Sequence, residues 1–316
     1  MKKLLCLVMA IVLLTSMCSC KTSDDDDKLS VVCTVFPNYD WTRQIIGNLI
    51  DNYQLTLLMD SGVDLHSYQA TTDDIVTIST CDMLIYIGGN SDKWIEDTLA
   101  QATNDDMIVI NLMDVLGDAV LDEEHLAGTD EHDHEHDVDK DEHIWLSLKN
   151  AIVCCNYIAS QLATLDSANA SVYQSNMQSY VTQLDDLDTQ FQSVVDNAET
   201  ATLLFADRFP FLYLVHDYNI TYYAAFSGCS AETEASFETI AFLAGKVDEL
   251  SLKYLIVLEG SQVNISQSII NSTSAKNQTV LTLNSLQTTN RSIIDAGATY
   301  LAIMQSNLAI LTTALS

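Results

Sequence analysis

Seven histidines occur in this 316-residue chain, and the residues around them suit metal coordination. Four of them, His125, His132, His134 and His136, fall within residues 122–142, where eleven acids stand against one lysine. Alternating imidazoles and carboxylates offer a borderline divalent cation the nitrogen and oxygen donors it accepts. A flexible tract loses entropy when it orders around an ion, so these four read as weak, auxiliary metal capture, with zinc the preferred ion. Two other histidines sit in loops with defined neighbours. His66 closes Gly62-Val63-Asp64-Leu65-His66 just past a strand pattern, and His143 lies in Asp141-Glu142-His143-Ile144-Trp145-Leu146 just after the acidic tract. The seventh is His216.

The rest of the chain limits what such residues can serve. The formal charge is −31, with 13 Lys and Arg, which argues against nucleic acid as a partner because phosphate binding needs basic patches. Hydrophobic residues make up 48% of the chain, enough for a sizeable core, and two prolines with ten glycines leave most of it free to be regular. A zinc hydrolase needs an open coordination position and a general base. No HExxH word and no nucleophile elbow occurs, and the single HxxEH spacing, His132 to His136, falls inside the acidic tract, so an enzyme is not expected.

Lys2 and Lys3 precede an apolar run over residues 4–14, which ends at Met17-Cys18-Ser19-Cys20. The run is too short to span a bilayer and has the length of a signal peptide. A small residue before a cysteine at that place resembles a bacterial lipobox, although Met17 stands where leucine is typical. Residues 1–19 are therefore expected to be a lipoprotein signal, Cys20 the lipidated residue, and residues 20–28 a flexible polar tether to the membrane. The cysteines beyond it, Cys33, Cys81, Cys154, Cys155 and Cys229, show no CxxC zinc spacing and read as buried free thiols.

These residues must be positioned by a scaffold whose pattern is strand–helix alternation. Strands are predicted over residues 29–36, 53–59, 83–87 and 107–111, with helices between them. That is a parallel α/β lobe over residues 29–166, interrupted by the solvated insertion 122–142. Apolar residues at steps of three to four from Val172 to Val195 predict one long amphipathic helix within 167–200. A second α/β unit follows over residues 201–316, with strands at 202–205, 222–226, 254–258 and 280–283. The expected fold is α/β, with two lobes, each a mainly parallel sheet flanked by helices, joined by one long rigid helix.

These words together resemble the zinc/manganese-type solute-binding lipoproteins of ABC transporters. Val31-Val32-Cys33-Thr34-Val35-Phe36-Pro37-Asn38-Tyr39 resembles that family's opening strand and turn. Gly62-Val63-Asp64-Leu65-His66-Ser67-Tyr68 resembles its first ligand element, and Asp141-Glu142-His143-Ile144-Trp145-Leu146 its second, with Glu142 in place of proline. A His/Asp-rich insertion before the second element resembles the zinc-type members. The resemblance implies that His66 and His143 ligate metal in a cleft between the lobes. It also implies an ABC permease as partner and a monomer anchored at the extracytoplasmic face of the membrane. The second half departs from the pattern. The third ligand's slot falls on Arg208, which cannot ligate, so Asp207 is the expected substitute, with His216 the competing choice and a helix N-cap the rival role for Asp207. At the fourth position stands Asn284; Glu259 is the preferred carboxylate, with Glu232 and Glu234 behind it. Zn²⁺ is the expected cargo and Mn²⁺ or Fe²⁺ the alternative, because oxygen ligands exclude those ions less. A surface adhesin and a metallohydrolase are the readings from other classes.

Overall fold

The structure is a computed structural model that describes residues 28–124, 126, 139–228, 235–262 and 264–316. The expected signal peptide, the lipidation residue Cys20, His125, His132, His134, His136, Glu232 and Glu234 lie outside the described residues. No described helix is long and apolar enough to cross a membrane.

Each lobe is a four-stranded parallel sheet. The N-lobe contains β1 (Leu29–Cys33), β2 (Tyr53–Leu57), β3 (Met83–Tyr86) and β4 (Ile108–Asn111), in the order β2-β1-β3-β4. The C-lobe repeats this order as β6-β5-β7-β8, with β5 (Thr202–Phe209), β6 (Thr221–Ser227), β7 (Tyr254–Leu258) and β8 (Thr279–Leu283). In both sheets the chain reverses its direction of winding at the first strand. Loops leaving the strand ends at such a switch point splay apart and open a crevice.

The helices run α1 (Phe36–Ile46), α2 (Thr72–Thr80), α3 (Lys93–Leu99), α4 (Leu112–Leu116), α5 (Leu148–Leu165), α6 (Ala170–Asp196), α7 (Leu212–Asp217), α8 (Phe237–Leu250), α9 (Asn264–Ser272), α10 (Arg291–Asp295) and α11 (Tyr300–Ala314). The first strand is shorter than the pattern 29–36 suggests. Pro37 suits a helix's first turn, where its missing N–H is no loss, and α1 begins at Phe36.

Helix α6 has 27 residues, about 40 Å at 1.5 Å per residue. Tyr173, Met177, Tyr180, Leu184, Leu187, Phe191 and Val195 form its buried seam. It packs on α1 and α5 from the N-lobe side and on α11 from the C-lobe side. One hydrophobic cluster accordingly runs through both lobes, from Val31 and Ile85 to Phe205 and Leu283. Smaller clusters cover the outer face of each sheet.

Buried polar ties also join the lobes. Trp145 Nε1 donates to the Ser285 carbonyl at 2.8 Å, Tyr300 Oη to the Trp145 carbonyl at 2.6 Å, and Tyr213 Oη to the Asp141 carbonyl at 2.7 Å. A shared core with satisfied buried hydrogen bonds favours a stiff pair of lobes over a wide hinge.

Two expectations are corrected here. The ends of the tract 122–142, expected to belong to a solvated insertion, are held in the fold. Asp122 and Lys140 form an antiparallel bridge with a 2.5 Å ion pair, and Asp141 and Glu142 are buried. Asp207 does not open a helix. Strand β5 continues through Asp207 and Arg208 to Phe209, stops at Pro210, and carries a register break between Phe205 and Arg208.

Candidate metal centre

His66 is placed by a short 3₁₀ turn, Leu65–Ser67, in the loop after β2, and the Asp64 carboxylate caps that turn by accepting the His66 N–H at 3.0 Å. His143 begins another such turn, Ile144–Leu146, whose three residues are all buried. The two rings meet edge to face with centroids 5.1 Å apart, and their Nε2 atoms are 3.2 Å apart.

Each ring is held at its other nitrogen. His143 Nδ1 lies 3.0 Å from Asp141 Oδ1, which also accepts the His143 N–H at 2.8 Å. His66 Nδ1 lies 2.9 Å from Ser91 Oγ and 3.5 Å from Glu142 Oε2. Glu142 is anchored by the Ser91 N–H, 2.8 Å from its Oε1, while its Oε2 is buried without a hydrogen-bond partner. A carboxylate or hydroxyl on Nδ1 fixes the tautomer that presents Nε2, the arrangement found behind metal-bound imidazoles. Gly89, at φ 84°, makes room for this network, since a Cβ there would meet Glu142 Oε1 at 2.4 Å.

Burial and the surrounding charges drive the pKa values of the two rings in opposite directions. Burial, with His143 beside it, lowers the His66 pKa to about 4. Burial also acts to lower that of His143, but Asp141, Asp64 and Glu142 outweigh it, and His143 holds its proton above the ordinary range. With Nδ1–H pointing at Asp141, the extra proton belongs on His143 Nε2, facing the lone pair of His66. A proton there occupies the place where a shared cation would sit.

The C-lobe presents a different chemistry to this pair. The Asp207 carboxylate accepts from the backbone N–H of Arg208 at 2.8 Å, from that of Leu258 at 3.0 Å, and from Ser261 Oγ. Glu259 accepts from Ser285 N–H at 2.8 Å, Ser285 Oγ at 2.7 Å and Thr288 Oγ1 at 3.2 Å. Asn284 Oδ1 accepts the Leu286 N–H at 2.8 Å. His216 is an exposed residue in the last turn of α7. The structure thus brings together His66 and His143 and leaves Asp207, Glu259, Asn284 and His216 outside the pair. Among the described residues, no group of three or more His, Cys, Asp and Glu side chains is arranged to hold a metal ion.

What crosses from the C-lobe is Arg208. The β5 register break turns its side chain toward the N-lobe, and Nη1 reaches Asp64 Oδ2 at 3.0 Å. Gln287, oriented so that its amide nitrogen faces Asp64, donates to both carboxylate oxygens at 3.0 and 2.8 Å, and its oxygen accepts from His143 Nε2 at 3.2 Å. Gly228, the last described residue before 229–234, passes close to His143, where a Cβ would lie 3.1 Å from its Cε1. The sequence reading missed Ser91, Gln287 and the positioning role of Glu142. Asp64 and Asp141 stand inside the two histidine words and were open to it; Ser91 and Gln287 carry no local signal.

Two parallel α/β lobes joined through one core, with imidazoles from two loops meeting in the crevice, define a two-lobed fold with a candidate cation site between the lobes. The chain matches the family model of the periplasmic component A of the zinc-uptake complex over residues 31–314 and belongs to that family. It is 25% identical over 295 residues to a zinc-binding protein, AdcA, of Streptococcus pyogenes, a match covering 90% of this chain and 55% of the relative. The chain therefore spans about half the length of that relative. It is 28% identical over 290 residues to the high-affinity zinc uptake system protein ZnuA of Bacillus subtilis, covering 89% of this chain and 86% of the relative. Its fold superposes on the crystal structure of the metal-dependent lipoprotein YcdH of Bacillus subtilis with a TM-score of 0.75 at 24% identity, over 91% of this chain and 99% of that one.

Proposed function

We propose that this protein captures Zn²⁺ between His66 and His143 in the interlobe crevice and delivers it to an ABC permease, held at the extracytoplasmic face of the membrane by a lipid on Cys20. The observation that carries this reading is the convergence of two Nε2 atoms whose rings are each fixed from behind by Asp141 or by Ser91 with Glu142. Two neutral imidazoles suit zinc better than a hard, oxygen-seeking cation. The zinc-binding relatives support the choice of ion, and Mn²⁺ is the alternative. The role is transport, with no chemistry performed on the metal.

Isothermal titration of the full chain with Zn²⁺ and Mn²⁺ tests the site. One tight event is expected for Zn²⁺, lost in the His66→Ala/His143→Ala variant and kept when His125, His132, His134 and His136 are all changed to alanine. Tight 1:1 binding that survives loss of His66 and His143 overturns the assignment. Delivery is tested by growth under a zinc chelator, which the gene should support and the double variant should not.

A further inference from the structure

We propose that the crevice takes its metal together with a small exogenous anion of the carboxylate or carbonate class, seated between the ion and Arg208. The inference rests on the zinc reading above and concerns what completes the coordination shell. Zinc ordinarily wants four donors, and the described residues supply two. Asp207 and Glu259 are engaged by three hydrogen bonds each, so recruiting either as a ligand competes with those bonds. Asp64 is close, but Arg208 and Gln287 hold it.

Arg208 itself is the positive indication. This chain has 13 Lys and Arg against 44 acids, yet it sets a guanidinium in the crevice beside the two imidazoles. Arg208 is charge-paired with Asp64 at 3.0 Å, so that carboxylate is not left over to balance an incoming divalent ion. The guanidinium fork has five N–H donors, and among the described residues Asp64 is its only side-chain acceptor. The side chain is 31% exposed, so its other edge is reachable from solvent. A planar fork binds carboxylate or carbonate through two parallel hydrogen bonds and leaves the anion's remaining oxygen to face a metal. The anion thereby supplies a donor beyond the two imidazoles and a negative charge toward the ion.

The test is zinc titration of the full chain in carbonate-free buffer with a weakly coordinating counter-ion, then with added bicarbonate, and separately with acetate. Wild-type affinity is expected to rise tenfold or more with an effective anion, and the two arms tell carbonate from a carboxylate. Arg208→Gln should lose that response, and Arg208→His should bind tightly without any anion. Co²⁺-loaded wild type should change its visible spectrum on addition of the anion, and Arg208→Gln should not. Wild-type affinity indifferent to both anions overturns the inference, as does an Arg208→Gln variant that responds like wild type. Tighter binding by Arg208→Gln without anion also overturns it, since Arg208 would then only compete with the ion for Asp64. If the His66→Ala/His143→Ala variant keeps tight binding, the zinc reading itself has failed. If that variant loses binding while wild type ignores anions, only this inference has failed.

Discussion

His66 Nε2 and His143 Nε2 stand 3.2 Å apart, and a single proton satisfies both. His143 keeps that proton above its ordinary pKa of 6.5, held by Asp141, Asp64 and Glu142 against the pull of burial, whereas burial and His143 bring His66 down to about 4. Between these two points the pair carries one proton, which zinc must displace. Zinc affinity should weaken about tenfold per pH unit from the raised pKa of His143 down to about 4, and more steeply below. Calorimetry at pH 6 in buffers of different ionisation enthalpy should count one proton released. Two protons, or none, would refute the shared-proton arrangement. The same pair affects the metal-free fold in opposite senses. The depressed His66 withdraws stability as pH falls from 6.5 toward 4, and the raised His143 withdraws it as pH rises through its folded value.

Ser91 ties the orientation of His66 to Glu142, since its hydroxyl is 2.9 Å from His66 Nδ1 and its N–H donates to Glu142 Oε1. Ser91→Ala keeps the backbone bond and removes the hydroxyl, leaving Nδ1 with Glu142 Oε2 at 3.5 Å. Loss of a hydrogen bond behind a metal-bound imidazole costs roughly 10–100-fold in affinity. The variant should bind zinc about tenfold more weakly, with an unchanged melting temperature. Unchanged affinity would mean that packing alone orients the ring.

Most of the scaffold was legible from the chain because parallel strands buried on both faces leave continuous apolar runs, as in Tyr254–Leu258, and α6 leaves a clean seam. The two histidine words located one wall of the crevice. The opposite wall was less legible for a physical reason. Whether Asp207 or Arg208 faces the N-lobe depends on a register break in β5, and a break of one residue exchanges which side chain points where. Glu259, just past the end of β7, is the carboxylate the sequence offers for the fourth ligand. Its engagement by Ser285 and Thr288 comes from residues 26 and 29 positions away, a pairing no local pattern encodes.

Asp92 is 1% exposed, and its Oδ2 accepts the backbone N–H groups of Ile87 and Gly88 at 3.0 Å each. Its Oδ1 has no hydrogen-bond partner. Burial, aided by Glu142, raises its pKa to about 7 against the two amides. A raised carboxylate stabilises the fold fully below its unfolded pKa of 3.8 and loses that contribution as pH climbs through 7. A rise of this size corresponds to roughly 2–4 kcal/mol. Asp92→Asn keeps an oxygen for both amides and removes the charge. Urea unfolding should give the variant a stability advantage that grows by about that amount between pH 4 and 8. Parallel pH profiles for variant and wild type would show that Asp92 is not the group responsible.

Trp145 is 1% exposed, packs edge to face on His143 at 5.4 Å, and donates Nε1–H to the Ser285 carbonyl across the lobe boundary. Trp145→Phe strands that carbonyl and leaves a gap where the larger ring lay. An unsatisfied buried acceptor together with lost packing should lower stability by roughly 2–4 kcal/mol. The histidines are oriented by Asp141, Ser91 and Glu142, all in the N-lobe, so zinc affinity should fall by less than about tenfold despite that loss. Thermal unfolding of the metal-free variant and zinc calorimetry below its melting temperature read the two effects separately. A large affinity loss that tracks the stability loss would mean the crevice is set by the tie between the lobes, and the N-lobe carboxylates alone would not explain how the pair is held.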